Sequence, residues 1–370
     1  MSVPRFRALP ADGDPLRVLL VGAGGMGRAW LGAVAASPDV TLVGVVDLDP
    51  DAATAAADGV PGAVAGTDLA AVAAASGAQA VINVTTPAAH LPVTLQALGL
   101  GLPVLGEKPA AASVAEALRL AAAAELAGQL FMVSQSRSHD RHLRRFRDQA
   151  RRLGPLGVLT TEFFLAPRFG GFRDAMAHPL LLDMAIHPFD AARYVLDAEP
   201  VSVYCQEYNP SWSWYAGDAA ATAVFEMTGG VRYVYTGSWC SPGLETSWNG
   251  GWRLSGAHGT ATWDGEGPPL SSLDPAPEPA DDGAPGGIAG ALAAFVHALR
   301  TGTTPRGEIH ENLLSLAMVD AAVLSARTDR RVLVAELLAD AHREALAAAG
   351  PERAALAALA PLPPGLAGRR

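Results

Sequence analysis

Between residues 16 and 133 the chain alternates short β-branched runs with alanine-rich helical stretches, and no other feature restricts its fold as strongly. Strands are expected at 16–21, 41–47, 80–84, 104–106 and 131–133, with helices at 26–37, 51–57, 88–99 and 114–127. Ser113, followed three residues on by Glu116, reads as the capping box that opens the last of these helices. Successive strands run parallel only when each return crosses over the sheet, and a helix supplies that crossover. The alternation predicts a doubly wound parallel α/β sheet.

Past residue 137 the pattern changes. A strand near 158–165 and a helix over about 180–195 precede strands near 201–208, 219–227, 231–239, 252–255 and 261–264. One helix followed by several strands joined by turns such as Thr228-Gly229-Gly230 predicts an α+β domain with an open, mainly antiparallel sheet. The Pro-, Asp- and Gly-rich residues 265–287 read as an exposed excursion, and helices at about 288–300 and 309–326 close the fold. The chain of 370 residues is long enough for two cores. The expected division is 1–137 as the doubly wound α/β domain, 138–335 as the α+β domain, and 336–370 as a helical segment, with a poorly ordered Ala/Pro-rich tail after Gly350.

Composition narrows the function. A net charge of -10 argues against a general nucleic-acid surface. The basic stretch 137–152 is interrupted by Asp140 and Asp148 and reads as a solvated helix face. Cys205 and Cys240 are too few for a disulfide framework and read as buried thiols of a reducing compartment. The first apolar run, 16–21, is too short to span a bilayer or direct secretion. The expectation is a cytoplasmic protein with neither a nucleic-acid nor a membrane partner.

Gly22-Ala23-Gly24-Gly25-Met26-Gly27 fits G-x-G-x-x-G. In a chain this rich in glycine the match alone is weak, but it follows a strand and opens a helix. Missing side chains there allow a tight turn and close approach to a pyrophosphate, and the helix N-terminus offers amide groups to the anion. Asp47 ends the second strand, 25 positions after Gly22, where an acid binds the adenosine ribose. A carboxylate there favours NAD and repels the extra phosphate of NADP. Arg28, in the glycine-turn helix, keeps NADP open.

The chain has 27 basic residues, and a single one, Lys108 in Glu107-Lys108-Pro109, is lysine. Compositional habit explains the arginine bias, but it leaves unexplained why an amine was kept here. A compact ammonium donates as a point charge and shifts its pKa when desolvated, whereas a guanidinium stays a protonated fork.

Four motifs in one order, the glycine turn, Asn83-Val84-Thr85-Thr86-Pro87, Glu107-Lys108-Pro109 and Asp183-Met184-Ala185-Ile186-His187, resemble the Gfo/Idh/MocA oxidoreductases, a family that includes inositol dehydrogenase and glucose-fructose oxidoreductase. The likeness runs from about residue 16 to 334. It implies a Rossmann domain, an open-faced α/β domain, a nicotinamide cofactor, and a sugar, inositol or related polyol as substrate. Carried onto this sequence, it implies Lys108, Asp183 and His187 as catalytic residues. The cofactor would be held by Gly22, Gly24, Gly25, Met26, Gly27, Asp47, Thr85, Thr86, Pro87, His90, Glu107 and Lys108.

Asp183 and His187 lie four apart in an expected helix, so they sit about 40° apart around its axis and face one way. Removing hydride from a secondary alcohol requires its oxygen to lose a proton, and His187 is the natural base. Lys108 would donate to the same oxygen, and Asp183 would hold a second hydroxyl or fix the imidazole tautomer. Gln135 and Arg168 are further candidates for substrate contact, as is Arg173, and Trp212, Trp214 and Tyr215 form an aromatic cluster suited equally to a sugar face or to packing. His178-Pro179 departs from the glycine-rich lead-in many relatives carry, which leaves the substrate open. A metal set of His178, Asp183, His187 and Asp190 matches known ligand patterns only loosely, and no metal is expected. An uncovered sheet face predicts a homodimer or homotetramer. Two other functions stay open: an NAD-assisted glycoside hydrolase or lyase, and a non-catalytic nucleotide-binding regulator.

Overall fold

The structure, a computed structural model, describes residues 6–10, 13–273 and 283–359. These fall into two compact units. Among the described residues, one contains the chain up to Ser136, Pro285–Leu313 and residues 341–359; the other contains Arg137 to Ala284 and Leu314–Asp340.

The first unit opens with β1 (Leu16–Val21), α1 (Gly25–Ala36), β2 (Val40–Val46), α2 (Pro50–Ala57), β3 (Val64–Gly66), α3 (Leu69–Ser76), β4 (Ala80–Asn83), α4 (Pro87–Gly99), β5 (Val104–Gly106), α5 (Val114–Ala127) and β6 (Phe131–Val133). All strands pair in parallel, in the order β3-β2-β1-β4-β5-β6. Val18, Leu20, Val45, Ile82 and Leu105 are fully buried, because a sheet covered on both faces needs uninterrupted apolar strands. The Ser113 hydroxyl accepts the Glu116 amide at 3.3 Å, so α5 starts where its capping signal stands. The pair β3 and α3 is an addition to the sequence reading. Three residues, Val64-Ala65-Gly66, carry no periodicity, although Asp68 capping Ala71 and the left-handed Gly77 bracket α3 with ordinary helix signals.

The second unit continues with α6 (Arg141–Arg152), β7 (Leu156–Phe164), a π-helical segment (Leu180–Ala185), α7 (Ile186–Leu196), β8 (Pro200–Tyr208), β9 (Ala220–Met227), β10 (Arg232–Ser238), β11 (Gly251–Gly256), β12 (Gly259–Trp263) and β13 (Leu270–Ser271). Beyond these come α8 (Gly287–Thr301), α9 (Ile309–Thr328), β14 (Val332–Leu333), α10 (Val334–Ala348) and α11 (Arg353–Ala358). The second sheet has the order β13-β12-β11-β7-β10-β9-β8-β14 and is antiparallel throughout except at β7–β10. Phe189 of α7 packs edge-on against Phe225 and Tyr235, at 4.9 and 5.3 Å between centroids, and roots the helix on this sheet. On the opposite face Tyr204 and Val224 are exposed.

Several expectations change. Part of the 265–287 excursion is strand β13, paired with β12, and residues 274–282 lie outside the described set. The tail after Gly350 begins with α11, whose Leu356 is fully buried, while Glu352 meets Arg119 of α5 at 2.7 Å. One buried leucine and one ion pair order this stretch; residues beyond 359 lie outside the described set. The basic helix α6 turns Leu143, Phe146 and Ala150 inward. Arg137 departs from the solvated reading: it packs on the Met184 sulfur at 3.8 Å, and burial pushes its guanidinium down to about 9. Cys205 and Cys240 are buried and unbridged, and burial pushes Cys205 up to about 12. Among the described residues, α9 is long and apolar enough to cross a membrane, but 67% of that stretch is buried inside the structure, as in a core helix.

A polar network ties α7 to α9. Arg193 holds Glu199 through two bonds of 2.6 and 3.0 Å and donates to Ser315 at 2.6 Å, and Ser315 donates to Asp190 at 2.7 Å. The Arg193 and Asp190 side chains are only 2% and 4% exposed. Arg193→Met is expected to cost about 3 kcal/mol in chemical denaturation, near the low end for a broken buried ion pair because Glu199 is 38% exposed. A loss below about 1 kcal/mol in that measurement means solvent carries the charges instead.

Candidate active site

At the end of β1 the backbone turns at Gly22 with φ +102°, and a Cβ there would meet the Val84 carbonyl oxygen at 2.7 Å. A Cβ on Gly27 would run into the Gly22 carbonyl. Both positions are glycine because the protein itself leaves no room. Gly24 is different, since no heavy atom of the described residues lies within 4 Å of a Cβ built there. Packing does not explain that glycine, whereas a ligand approaching the backbone does. Gly24 also stands at the N-cap of α1 with no side-chain cap, and the first turn carries no acid. Exposed amides at the positive end of a 12-residue helix, beside an open cradle, fit a pyrophosphate. Gly25 and Met26 form the first helical residues, with Met26 half exposed. Asp47 follows β2 and accepts the Ala23 amide at 2.7 Å and the Asp49 amide at 3.0 Å, which pins its carboxylate beside the glycine turn.

The next two strands bring the rest to the same edge. Asn83 ends β4 and accepts from the Thr85 amide and hydroxyl at 3.2 and 2.7 Å, while its own amide donates to Thr94 at 3.0 Å. Thr86 stands at the N-cap position of α4 without a side-chain capping bond, and Pro87 occupies its first turn. His90, buried, lies 2.6 Å from the Pro109 carbonyl and 3.0 Å from the Thr85 carbonyl. Burial lowers the His90 pKa, and the two backbone carbonyls, Pro109 and Thr85, raise it. Both ring nitrogens thus lie against backbone carbonyls, between Thr85 and Pro109. Glu107 is held by Trp30 at 2.8 Å and accepts the Lys108 amide at 3.1 Å. Lys108, half-buried, follows β5 between these two anchors. Gln135, buried, follows β6.

A cavity of about 290 Å³ lined by Pro15, Pro38, Val296 and Arg300 lies at the amino end of β1, opposite the glycine turn, and is not where a dinucleotide lies on this fold.

In the second unit Asp183 falls inside the π-helical segment, and His187 stands in the first turn of α7. The expected 40° separation rests on an unbroken α-helix, whereas the segment here is π-helical before it becomes α-helical. Pro188 has no amide to bond the Met184 carbonyl and its ring crowds that group, which favours the wider turn. One Asp183 oxygen is held by Arg173 at 2.6 Å, and that guanidinium also lies over the Phe169 and Phe172 rings. Arg168 stacks on Trp214 at 4.0 Å, Trp214 packs on Tyr215 at 5.1 Å between centroids, and Trp212 is 62% exposed. Beyond these, His178 lies 2.7 Å from Glu207, with Asp218 close by. Burial and then Asp218 push Glu207 up to about 8, and burial lowers His178. Glu207 and Asp218 were missed by sequence reasoning because neither stands in a motif.

Residues 16–135 match the oxidoreductase family with an NAD-binding Rossmann fold, and residues 163–262 match the Gfo/Idh/MocA C-terminal domain. The chain belongs to the Gfo/Idh/MocA oxidoreductase family. NAD is therefore the nucleotide of its first unit, in keeping with the open Gly24 cradle. Among relatives, an uncharacterized protein y4oX from Sinorhizobium fredii is 27% identical over 87% of this chain and 96% of its own length. An inositol 2-dehydrogenase from Renibacterium salmoninarum is 32% identical over 51% of this chain, and the match spans 57% of that relative. The WlbA dehydrogenase from Chromobacterium violaceum, solved with NADH and UDP-GlcNAcA, superposes with a TM-score of 0.77 at 20% identity, covering 88% of this chain and 97% of that one. At that identity the likeness speaks for the fold.

Proposed function

We propose that this family member is an NAD-dependent dehydrogenase that oxidises a secondary alcohol of a sugar, inositol or related polyol. The observation that carries the reading is the placement of a sole lysine. Lys108 leaves β5 on the sheet edge that holds the glycine turn, two strands from β1, and Glu107 and His90 anchor the backbone on either side of it. Two strand spacings are about 10 Å, the scale on which the nicotinamide end of a dinucleotide reaches across a sheet edge from its pyrophosphate.

When bound, NAD supplies the hydride acceptor. The chain's residues do the rest: Lys108 donates to the alcohol oxygen and stabilises its developing negative charge, and His187 takes the proton. Asp183, oriented by Arg173, holds a neighbouring hydroxyl. The inositol 2-dehydrogenases among the relatives support a polyol. The test is a panel of inositols, aldoses and uronic acids assayed for NAD reduction. Turnover of none of them, or release of an aglycone from glycosides without net NADH, overturns the reading. The exposed Tyr204 and Val224 face supports self-association through the second sheet, which native mass spectrometry reads directly.

Asp47 sets the nucleotide preference. Its carboxylate, held by the Ala23 and Asp49 amides, offers acceptors to two ribose hydroxyls and repels a phosphate. Asp47→Ala is expected to shift the NAD-to-NADP ratio of kcat/KM by at least about tenfold toward NADP. A wild-type enzyme already faster with NADP contradicts this assignment.

A further inference from the structure

The geometry points to a divalent cation site of the zinc class in the second unit, formed by His178, Glu207 and Asp218. One ligand atom from each lies within 4.8 Å of the others. Ligands in a zinc tetrahedron stand about 2.1 Å from the ion and so about 3.4 Å apart; closing the cluster takes side-chain shifts of up to about 1 Å. One imidazole nitrogen and two carboxylates suit Zn²⁺, with water completing a tetrahedron, better than Ca²⁺, which takes six to eight oxygens.

The three residues come from three places, and the backbone brings them together. His178 precedes the π-helical segment, Glu207 lies near the end of β8, and Asp218 stands just before β9. The Asp218 amide donates to Ala177 at 2.9 Å and the Ala216 amide to Asp174 at 2.8 Å. Gly217 lies so close to this segment that a Cβ would run into the Ala177 carbonyl.

A second observation points to a ligand. The Glu207 side chain is 2% exposed; one oxygen meets His178 at 2.7 Å, while the other, Oε1, is buried and accepts no hydrogen bond among the described residues. A buried carboxylate oxygen without a donor costs free energy, and a second carboxylate beside it adds repulsion. The His178–Glu207 pair explains neither the orphaned oxygen nor Asp218. A cation between them explains both. It would clamp residues 174–178, which lead directly into Asp183, against the ends of β8 and β9.

The test uses the full chain, stripped with a chelator and titrated with ZnCl₂ by calorimetry, with MnCl₂ as a second arm. Wild type is expected to bind one Zn²⁺ per chain with Kd below about 10 µM. Glu207→Gln, His178→Ala and Asp218→Asn are each expected to weaken it at least about tenfold, whereas His310→Ala, outside the cluster, leaves it unchanged. Glu207→Gln preserves shape, so its thermal melt separates lost binding from lost fold. Anomalous scattering at the zinc edge from wild-type crystals should place the ion among the three side chains. No saturable site, affinity indifferent to Glu207→Gln, or an anomalous peak elsewhere each overturns the proposal.

Discussion

Lys108→Met should reduce kcat on the polyol substrate at least about a hundredfold while leaving the dissociation constant for NAD within about twofold of wild type. The split follows from where the lysine is held. Its backbone is anchored from both sides, by Glu107 accepting the Lys108 amide and by His90 contacting the Pro109 carbonyl, so removing the ammonium does not loosen the turn. Methionine keeps the length of the stem and its packing while removing the charge. What disappears is the donor to an oxygen gaining negative charge, a contact stronger in the transition state than in the ground state, and such losses fall on kcat. Lys108→Arg should recover little of the rate, because a planar fork cannot occupy the position of a point donor. Equilibrium NAD titration beside steady-state kinetics reads both quantities. An unchanged rate removes Lys108 from the chemistry, and a matching loss of NAD affinity makes it a nucleotide contact instead.

Much of this was legible in the sequence because it was local. The glycine turn, the Ser113–Glu116 cap and the strand-helix pitch are each written within a few residues, and each appears where its chemistry requires. Legibility ended where the determining partner was distant or the element too short for a period. Strand β3 has three residues, so its identity comes from pairing with β2 rather than from its own pattern. The parallel pairing of β7 with β10 depends on the whole stretch of α7, β8 and β9 between them. Helix α8 carries apolar residues such as Phe295 toward the core of the first unit, and nothing in its sequence names the sheet it covers.

The candidate site divides along the same line. Lys108 and the glycines announced themselves through composition and motif, whereas the Asp183–His187 geometry did not follow from spacing alone. Pro188 has no amide to bond the Met184 carbonyl, which favours the wider turn, and i,i+4 spacing does not convey that. Arg137 stood in a run of arginines and looked solvated, but Met184, far along the chain, covers it. His178, Glu207 and Asp218 share no motif, and the backbone bonds at Ala177 and Asp174 together with the pairing of β8 and β9 bring them together.

Gly24 offers a substitution in which stability and function are expected to move in opposite directions. It occupies the N-cap of α1 with φ -69° and ψ -160°, a conformation open to any residue, and a Cβ there meets no atom of the described residues within 4 Å. Aspartate is among the best N-cap residues, and its carboxylate also favours the positive helix end, so Gly24→Asp should raise the unfolding free energy by about 0.5 kcal/mol. The same carboxylate bonds the amides that a pyrophosphate needs and repels the pyrophosphate charge, so NAD affinity should fall at least about a hundredfold, or about 2.7 kcal/mol. Gly27→Ala is the control with the opposite logic. Its Cβ runs into the Gly22 carbonyl, so stability and NAD binding fall together. Denaturation curves and NAD titrations on both variants separate a glycine kept for the ligand from a glycine kept for the fold. If Gly24→Asp binds NAD as well as wild type, the dinucleotide does not lie on this helix end, and the proposed roles of Asp47 and Lys108 lose their frame of reference.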